Sequence, residues 1–211
     1  ITVTAQQEGK TPQQVAMEYH KLNSNSIEKM GISFDLFTHT HTKEHAEVAL
    51  SILKKLDDNG YIEPRISEEP YDPIAEQFLP DRYVEGTCPH CKYESARGDQ
   101  CDDCGKTLDS KELITPRSKL NPDAKIEFKE TEHLFFKLSE FRDTLLEWLS
   151  EGKEHWRPSV INFTRNWLKE GLIDRAVTRD LEWGIEIPRE GYETKRMYVW
   201  FEAVMGYYSA S

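Results

Sequence analysis

The stretch Cys88-Pro89-His90-Cys91, followed after nine residues by Cys101-Asp102-Asp103-Cys104-Gly105, holds all four cysteines of this 211-residue chain. Two residues between the cysteines of a pair let both thiolates reach one ion. Two such pairs complete a tetrahedral shell of four sulfurs with no open position for a substrate. The spacing therefore predicts a structural zinc site formed by Cys88, Cys91, Cys101 and Cys104.

Two other interpretations of the cysteines are a pair of disulfides and a redox-active C-x-x-C. A redox motif is usually single and begins a helix in a βαβ unit, and no such pattern surrounds these cysteines. Gly105 follows the second pair, where a tight turn often requires positive φ, whereas Lys92 holds the matching position after the first pair. Four thiolates without a water position favour a role in folding, so the chemistry is expected elsewhere.

The composition limits the possible partners and the compartment. The net charge of −11 disfavours non-specific binding to nucleic acid, which requires Lys and Arg to replace counterions. No apolar run approaches the roughly 18 residues of a membrane span. Paired thiols without an export signal predict a reducing cytoplasm. The chain starts at Ile1 and its last residues follow an apolar segment directly, so we expect it to be a fragment.

Capping patterns predict two N-terminal helices. Thr11-Pro12-Gln13-Gln14 forms a capping box with proline at the first helical position, and Val15, Tyr19 and Leu22 then fall on one face. Thr42 can cap a second helix over about 43–58. Its predicted apolar stripe comprises Ala46, Ala49, Leu50 and Leu53. The segment between the helices, 32–42, contains Phe34, Leu36 and Phe37 and is expected to be a packed loop.

The rest of the chain alternates between irregular, strand-like and helical patterns. Four prolines between residues 61 and 83 predict extended, irregular chain. Residues 126–138 predict a strand or two, Ser139 a helix cap for about 140–150, and residues 159–170 a further helix. The apolar run 197–201 predicts a buried strand, with a helix starting at about Ala203.

Three groups outside the cysteines could carry chemistry. His39, His41 and His45 could hold a metal, but threonines alternate with them at a helix entry, so a polar surface is the favoured interpretation. Arg179 could bind a carboxylate or phosphate, or form an exposed ion pair with Asp180.

The aromatic segment 198–207 is the third group. If a helix begins near Trp200, then Trp200, Ala203 and Tyr207 share one face and form a slot suited to a thioether. An aromatic stripe at helical spacing is, however, more often part of a core.

These motifs together resemble the methionyl-tRNA synthetase family of class I aminoacyl-tRNA synthetases. Residues 5–12 (AQQEGKTP) resemble the segment after the family's D-x-H-G-T-P loop, and residues 78–91 (FLPDRYVEGTCPHC) the entry to its zinc knuckle. Residues 131–136 (TEHLFF) resemble its S-E-H-F-F-F strand. Residues 198–207 (YVWFEAVMGY) resemble Y-V-W-x-D-A-x-x-G-Y, which belongs to its methionine pocket.

The resemblance implies an α/β fold: part of a Rossmann-like class I synthetase catalytic domain interrupted by a zinc-knuckle connective-peptide insertion. Residues 1–61 would be helices of the first half of that domain, residues 62–177 the connective peptide with its knuckle at 81–115, and residues 178–211 the return to the catalytic domain. Trp200, Ala203 and Tyr207 would bind the methionine side chain, and Arg179 would be catalytic, assisting the activated amino acid. The four cysteines would bind zinc.

The implied function is that of a methionine–tRNA ligase, which uses ATP and Mg to form methionyl-adenylate and then esterifies tRNA(Met). The family's HIGH and KMSKS signatures are absent from these 211 residues, so we expect this chain alone to be inactive. Four residues depart from the family pattern: Glu85, Arg175, Glu202 and Val204. In particular, Glu202 stands where Asp is usual.

Two alternatives to a synthetase fragment are a free-standing zinc ribbon that binds nucleic acid and a protein-interaction scaffold. The acidic residues around the cysteines disfavour the first, since four thiolates on zinc add further negative charge. No feature of the sequence supports the second. We expect methionine, ATP and tRNA as partners of the whole protein, and neither DNA nor a membrane.

Overall fold

The computed structural model describes residues 1–121 and 123–211, which form helices around three small antiparallel sheets. The helices are α1 (Thr2–Glu8), α2 (Pro12–Lys29), α3 (Lys43–Asp58), α4 (Arg142–Trp148), α5 (Pro158–Glu170), α6 (Val199–Glu202) and α7 (Gly206–Ser209). The strands are β1 (Ile62–Asp72), β2 (Gln77–Phe78), β3 (Val84–Thr87), β4 (Ala96–Arg97), β5 (Ile114–Ser118), β6 (Glu127–Phe136), β7 (Arg175–Ala176), β8 (Thr178–Asp180) and β9 (Lys195–Met197). The mixture confirms the α/β class.

Both predicted helix starts are confirmed by their caps. Thr11 accepts a hydrogen bond from the Gln14 amide, and the Gln14 side chain accepts one from the Thr11 amide, which completes the capping box of α2. Thr42 accepts from the His45 amide at the start of α3. These bonds satisfy amides that the first turn of a helix otherwise leaves unpaired.

The largest sheet has the strand order β2-β1-β6-β7, and β1 pairs with β6 from Ile62 opposite Phe136 to Tyr71 opposite Glu127. The expectation of irregular chain at 61–83 is therefore wrong for β1, despite Pro64 and Pro70 within it. Pro64 lies opposite Leu134 in the pairing of β1 with β6. The Leu134 amide points away from β1 and donates to the Thr178 hydroxyl, so this pair exchanges no backbone hydrogen bonds and the Pro64 nitrogen points away from β6. Pro70 lies six residues further along the strand, and this even spacing makes its nitrogen point away from β6 as well. Proline at such positions removes no hydrogen bond from the ladder.

The main core lies between α3, the large sheet and the two-stranded β8–β9 sheet. Its buried members are Ala49, Leu53, Ile62, Leu134, Val177, Ile187, Tyr192, Met197 and Met205. The predicted stripe of α3 is thus confirmed at Ala49 and Leu53. Of the predicted α2 face only Val15 is buried, and the expected packed loop instead exposes Phe34 and Leu36.

A second core supports the cysteine-containing region, where β3 lies between β4 and β5. It comprises Leu79, Val84, Cys88, Ala96, Cys101, Leu113 and Ile126. Gly98 lies against the start of this region, and its amide donates to the carbonyls of Asp81 and Val84 at 3.1 and 3.0 Å. We call residues 81–118 the knuckle. Its core shares no residue with the main core.

Two predictions for the C-terminal half are wrong in detail. Ser139 does not cap a helix: residues Leu138–Phe141 form a 3₁₀ turn, and the Ser139 hydroxyl donates to Asp174. The strand expected at 197–201 ends at Met197, because α6 begins at Val199. A 3₁₀ turn, Ala203–Met205, then joins α6 to α7. We call residues 199–209 the aromatic segment. None of the helices in the described residues is long and apolar enough to cross a membrane.

Candidate functional site

The four cysteine sulfurs converge as the sequence predicts. Their Sγ atoms all lie within 4.8 Å of one another, with 4.0 Å between Cys88 and Cys104 and 3.5 Å between Cys91 and Cys101. Four sulfurs bonded tetrahedrally to one zinc ion at about 2.3 Å would lie about 3.8 Å apart, so the cluster fits one ion. All four thiols are free, which does not support the disulfide interpretation. These residues could therefore hold a metal.

Two matching turns hold the cysteine pairs. The Lys92 amide donates to the Cys88 carbonyl at 3.1 Å, and the Gly105 amide donates to the Cys101 carbonyl at 2.9 Å. Both residues adopt positive φ, 67° for Lys92 and 72° for Gly105. Lys92 therefore adopts a backbone conformation that is unfavourable for residues other than glycine. The repeated turn shows that the backbone holds both pairs in the same way.

Three acidic residues of the knuckle form ion pairs with its three arginines. Glu85 contacts Arg117 and Lys119 at 3.0 and 3.6 Å. Arg82 and Arg97 bind Asp99 and Asp102, each at 2.9 Å. Because these pairs occupy the three arginines of the knuckle, those side chains offer less free positive charge to a phosphate backbone.

Arg179 lies on β8, mostly buried, and its partner is Asp81 rather than the neighbouring Asp180. One guanidinium nitrogen lies 3.6 Å from Asp81, and the guanidinium carbon lies 4.3 Å from the centre of the Tyr198 ring. Burial raises the pKa of Asp81, and Arg179 opposes that change. Burial, with the nearby Asp81 charge, raises the pKa of Tyr198 to about 12. The interpretation of Arg179 as an exposed pair with Asp180 is therefore wrong.

Asp180 belongs to a separate buried network between β6, β8 and β9. It accepts hydrogen bonds from Lys195 at 2.7 Å and Thr131 at 2.9 Å, and it lies 3.2 Å from the His133 ring. Burial alone would raise the pKa of Asp180, but His133, Lys195 and Thr131 outweigh it and hold the pKa at about 2. This network fixes the strands that lead into the aromatic segment.

A cavity of about 790 Å³ brings together two of the three predicted methionine-binding residues. Ala203 and Tyr207 line it on one side, and Phe34, Leu36 and Phe37 line it on the other. Its volume lies within the range usual for small-molecule sites. Trp200 is not among the lining residues; its ring lies 5.7 Å from the Arg82 guanidinium of the knuckle. Trp200 and Tyr207 are 59% and 86% exposed.

The histidine cluster does not form one site. The His39 ring meets His20 edge-on and stacks with His41. His45 is buried, and its ring contacts Glu202 and Ser209. The interpretation of His45 as polar surface is therefore wrong. The spacing of His45, Ala49 and Leu53 by four residues along α3, on the buried face, is the sequence signal that could have revealed this.

Several contacts at the site could not be anticipated from the sequence. They join residues far apart in the chain: Asp81 with Arg179, Arg82 with Trp200, and His45 with Glu202. Separations of about 100 residues or more leave no local pattern to detect. The knuckle is thus in direct contact with two of the predicted site residues.

Comparison with known proteins gives the family. The model described as "tRNA synthetases class I (M)" matches residues 1–211. Proteins named methionine–tRNA ligase from Dehalococcoides mccartyi and Thermomicrobium roseum are 55% and 53% identical over the whole chain. One from Thermoplasma volcanium is 49% identical over 98% of it. The chain spans 36–38% of the length of these relatives.

A solved structure shows the same fold. Methionyl-tRNA synthetase of Mycobacterium tuberculosis, solved in complex with methionyl-adenylate, superposes with a TM-score of 0.65 at 19% identity. The superposition covers 97% of this chain and 35% of that one. With the family model matched from the first residue to the last, the chain belongs to the class I (M) tRNA synthetases.

Proposed function

We propose that this chain is a segment of a methionine–tRNA ligase, which activates methionine with ATP and transfers it to tRNA(Met). The observation that carries this proposal is the similarity of the entire chain, at 53–55% identity, to proteins of that name. The whole protein would be the enzyme, with methionine, ATP and tRNA as its substrates. The free thiol pairs suit a reducing cytoplasm.

The metal of the knuckle would be zinc, held by Cys88, Cys91, Cys101 and Cys104. Zinc supplies a structural cross-link when four thiolates leave no open coordination position. Cys88 and Cys101 are fully buried within the second core, so they would anchor the ion from inside the fold. ATP and Mg would bind to the parts of the enzyme that carry the HIGH and KMSKS signatures, which these 211 residues lack.

The domain plan of the sequence analysis remains part of the proposal. Residues 1–61 and 178–211 would belong to the catalytic domain, and residues 62–177 to the connective peptide. The knuckle has a core of its own, which supports a unit of independent stability inside the connective peptide, whereas Ile62, Leu134 and Val177 of that peptide belong to the main core. A free-standing zinc ribbon that binds nucleic acid has less support, because the net charge is −11 and the knuckle arginines are paired.

Trp200, Ala203 and Tyr207 would bind the methionine side chain, with Arg179 assisting the activated amino acid. The large cavity beside Ala203 and Tyr207 provides the space, and the exposed indole of Trp200 provides an aromatic surface for a thioether. Arg179 would act from a fixed position, since Asp81 and Tyr198 hold its guanidinium.

Pyrophosphate exchange by the whole enzyme tests this proposal. We expect methionine-dependent exchange, and we expect Trp200→Ala to raise the KM for methionine about 10–200-fold through lost dispersion and sulfur–ring contact. The KM for ATP should change little. The 211-residue chain alone should form no methionyl-adenylate.

Trp167→Ala is the matched control, since Trp167 on α5 is 49% exposed and lies outside the aromatic segment. It should leave both KM values unchanged. Exchange driven by an amino acid other than methionine, or exchange by the isolated chain, would contradict the proposal.

A further inference from the structure

A buried histidine joins α3 to the aromatic segment at two points. His45 is 1% exposed, and its Nε2 contacts a carboxylate oxygen of Glu202, itself only 8% exposed. Its Nδ1 lies 2.9 Å from the Ser209 hydroxyl. Glu202 directly precedes Ala203, and Ser209 follows Tyr207 by two residues. The two contacts therefore lie on either side, in the sequence, of the cavity-lining residues Ala203 and Tyr207.

The hydrogen bonds define how the ring is used. The Ser209 hydroxyl donates to the Gly206 carbonyl at 3.2 Å, so it accepts from the Nδ1–H of His45. Nε2 then faces the Glu202 carboxyl group. Burial raises the pKa of Glu202, while His45 opposes that change. A buried carboxyl without such a partner would be costly, which ties the position of Glu202 to His45.

The aromatic segment is held by tertiary contacts, which include the packing of Met205 and Phe201 against the main core. It consists of two four-residue helices joined by a 3₁₀ turn, and none of the three has a side-chain cap. Val199, Trp200, Val204, Tyr207 and Tyr208 are all at least half exposed. Such short helices are not stable by themselves, so tertiary contacts must hold them. Met205 and the Glu202 side chain are its buried members.

We propose that His45 and Glu202 form a positioning pair that fixes Ala203 and Tyr207 relative to α3, and so sets the affinity of the cavity for the amino-acid side chain. This rests on the proposed function, because the ligand is methionine only if the enzyme is a methionine–tRNA ligase. His45 and Ser209 themselves line the cavity, so a shift of the pair changes its shape directly. The effect should fall on amino-acid binding more than on ATP, because the pair positions Ala203 and Tyr207.

Steady-state pyrophosphate exchange on the whole enzyme tests the pair. We expect His45→Ala and Glu202→Ala each to raise the KM for methionine about tenfold or more, with the KM for ATP changed less than about twofold. Glu202→Gln keeps the size and a hydrogen bond to His45, so it should restore the methionine KM to within about threefold of the parent. The methionine KM of the double variant His45→Ala/Glu202→Ala should exceed that of the more affected single variant by no more than about twofold, because the two residues act as one unit.

Controls separate this inference from general damage. His155→Ala, at an exposed histidine between α4 and α5, should leave both KM values unchanged. If His45→Ala does not fold, the milder Ser209→Ala removes the Nδ1 contact and the hydroxyl's bond to the Gly206 carbonyl, leaves the contact between His45 and Glu202 in place, and should raise the methionine KM about two- to fivefold. Equal rises in both KM values, multiplicative effects in the double variant, or an unchanged methionine KM in the folded variants would overturn the inference.

The parent enzyme distinguishes the two levels of the proposal. Absence of methionine-dependent exchange in the parent contradicts the proposed function. An active parent, together with a methionine KM that neither His45→Ala nor Ser209→Ala alters, contradicts only the positioning pair.

Discussion

The knuckle and the aromatic segment both carry predicted chemistry, but they differ in how their residues come together. In the knuckle the four sulfurs converge to within 4.8 Å, and Cys88 and Cys101 are fully buried. In the aromatic segment Trp200 and Tyr207 remain 59% and 86% exposed. Of the three predicted methionine-binding residues, Ala203 and Tyr207 line the cavity, together with Phe34, Leu36 and Phe37 from the segment before α3.

The difference reflects the range of the interactions involved. Each cysteine pair is placed by a turn of five residues, and both turns repeat the same backbone hydrogen bond. The aromatic segment is placed by contacts across some 160 residues, such as His45 with Glu202 and Ser209. Local geometry can therefore form a metal site, whereas a side-chain pocket depends on how distant elements pack.

Loss of one buried thiol should have the largest effect and should break the knuckle alone. We expect Cys101→Ser to abolish stoichiometric zinc binding and unfold the knuckle, because metal affinity supplies its folding free energy. The helices α2 and α3 should keep their protection, since the two cores share no residue. Metal analysis and hydrogen exchange measure the two effects.

His90→Ala is the control, because His90 lies within the first cysteine pair but is exposed and outside the sulfur cluster. It should bind one zinc ion as the parent does. Loss of protection throughout α3 in Cys101→Ser would show that the two regions do not fold independently.

Gly98→Ala should destabilise the knuckle without touching its metal ligands. An added Cβ would lie 2.5 Å from the Asp81 carbonyl oxygen and 3.1 Å from the Ser110 Cβ. Relief requires a backbone shift, which we expect to cost about 3 kcal/mol. Chemical denaturation followed by local hydrogen exchange should detect it. Unchanged exchange around Asp81 and Val84 would contradict this account of the glycine.

Acidification should destabilise the knuckle and the main core at different pH values. Zinc should leave first, because its thiolate ligands must stay deprotonated. The Asp180 pKa of about 2 lies below its ordinary value of 3.8. The contribution of the ionised carboxylate to the free energy of unfolding is therefore complete above about pH 4. About 2 kcal/mol should then be lost as the pH falls towards 2.

Asp180→Asn should abolish this loss of unfolding free energy between about pH 4 and pH 2. Asp143→Asn, at an exposed carboxylate, should leave the loss unchanged. Tryptophan fluorescence across a pH series, with zinc release measured in parallel, gives both transitions. A single coincident transition would contradict the separation of the two regions.

Gly206→Ala should have the smallest effect, with the opposite sign from Gly98→Ala. Gly206 has helical backbone angles, φ −56° and ψ −37°, and an added Cβ would meet only the Thr40 methyl carbon at 3.8 Å. Alanine restricts the unfolded chain, so we expect a gain of about 0.5–1 kcal/mol. Thermal denaturation of the two variants side by side checks the contrast, and destabilisation by Gly206→Ala would contradict it.

Sequence reasoning succeeded where a few adjacent residues define the geometry. The capping box at Thr11 and Gln14 and the cap at Thr42 were predicted and are confirmed. It failed where pairing overrode local preference, as in β1, whose prolines lie on the edge away from β6. It also failed at His45, where burial and a distant carboxyl replaced the expected solvent-exposed cap.

The sequence by itself determined the α/β class, the four-sulfur cluster and, by resemblance, the synthetase family. Spacing and capping act within a few residues, so the order of residue types is sufficient to specify them. Only the tertiary structure decided that Arg179 pairs with Asp81, that Arg82 lies by Trp200, and that His45 contacts Glu202 and Ser209. These contacts depend on the packing of the main body against the knuckle and of α3 against the C-terminal helices, which brings together side chains about 100 residues or more apart.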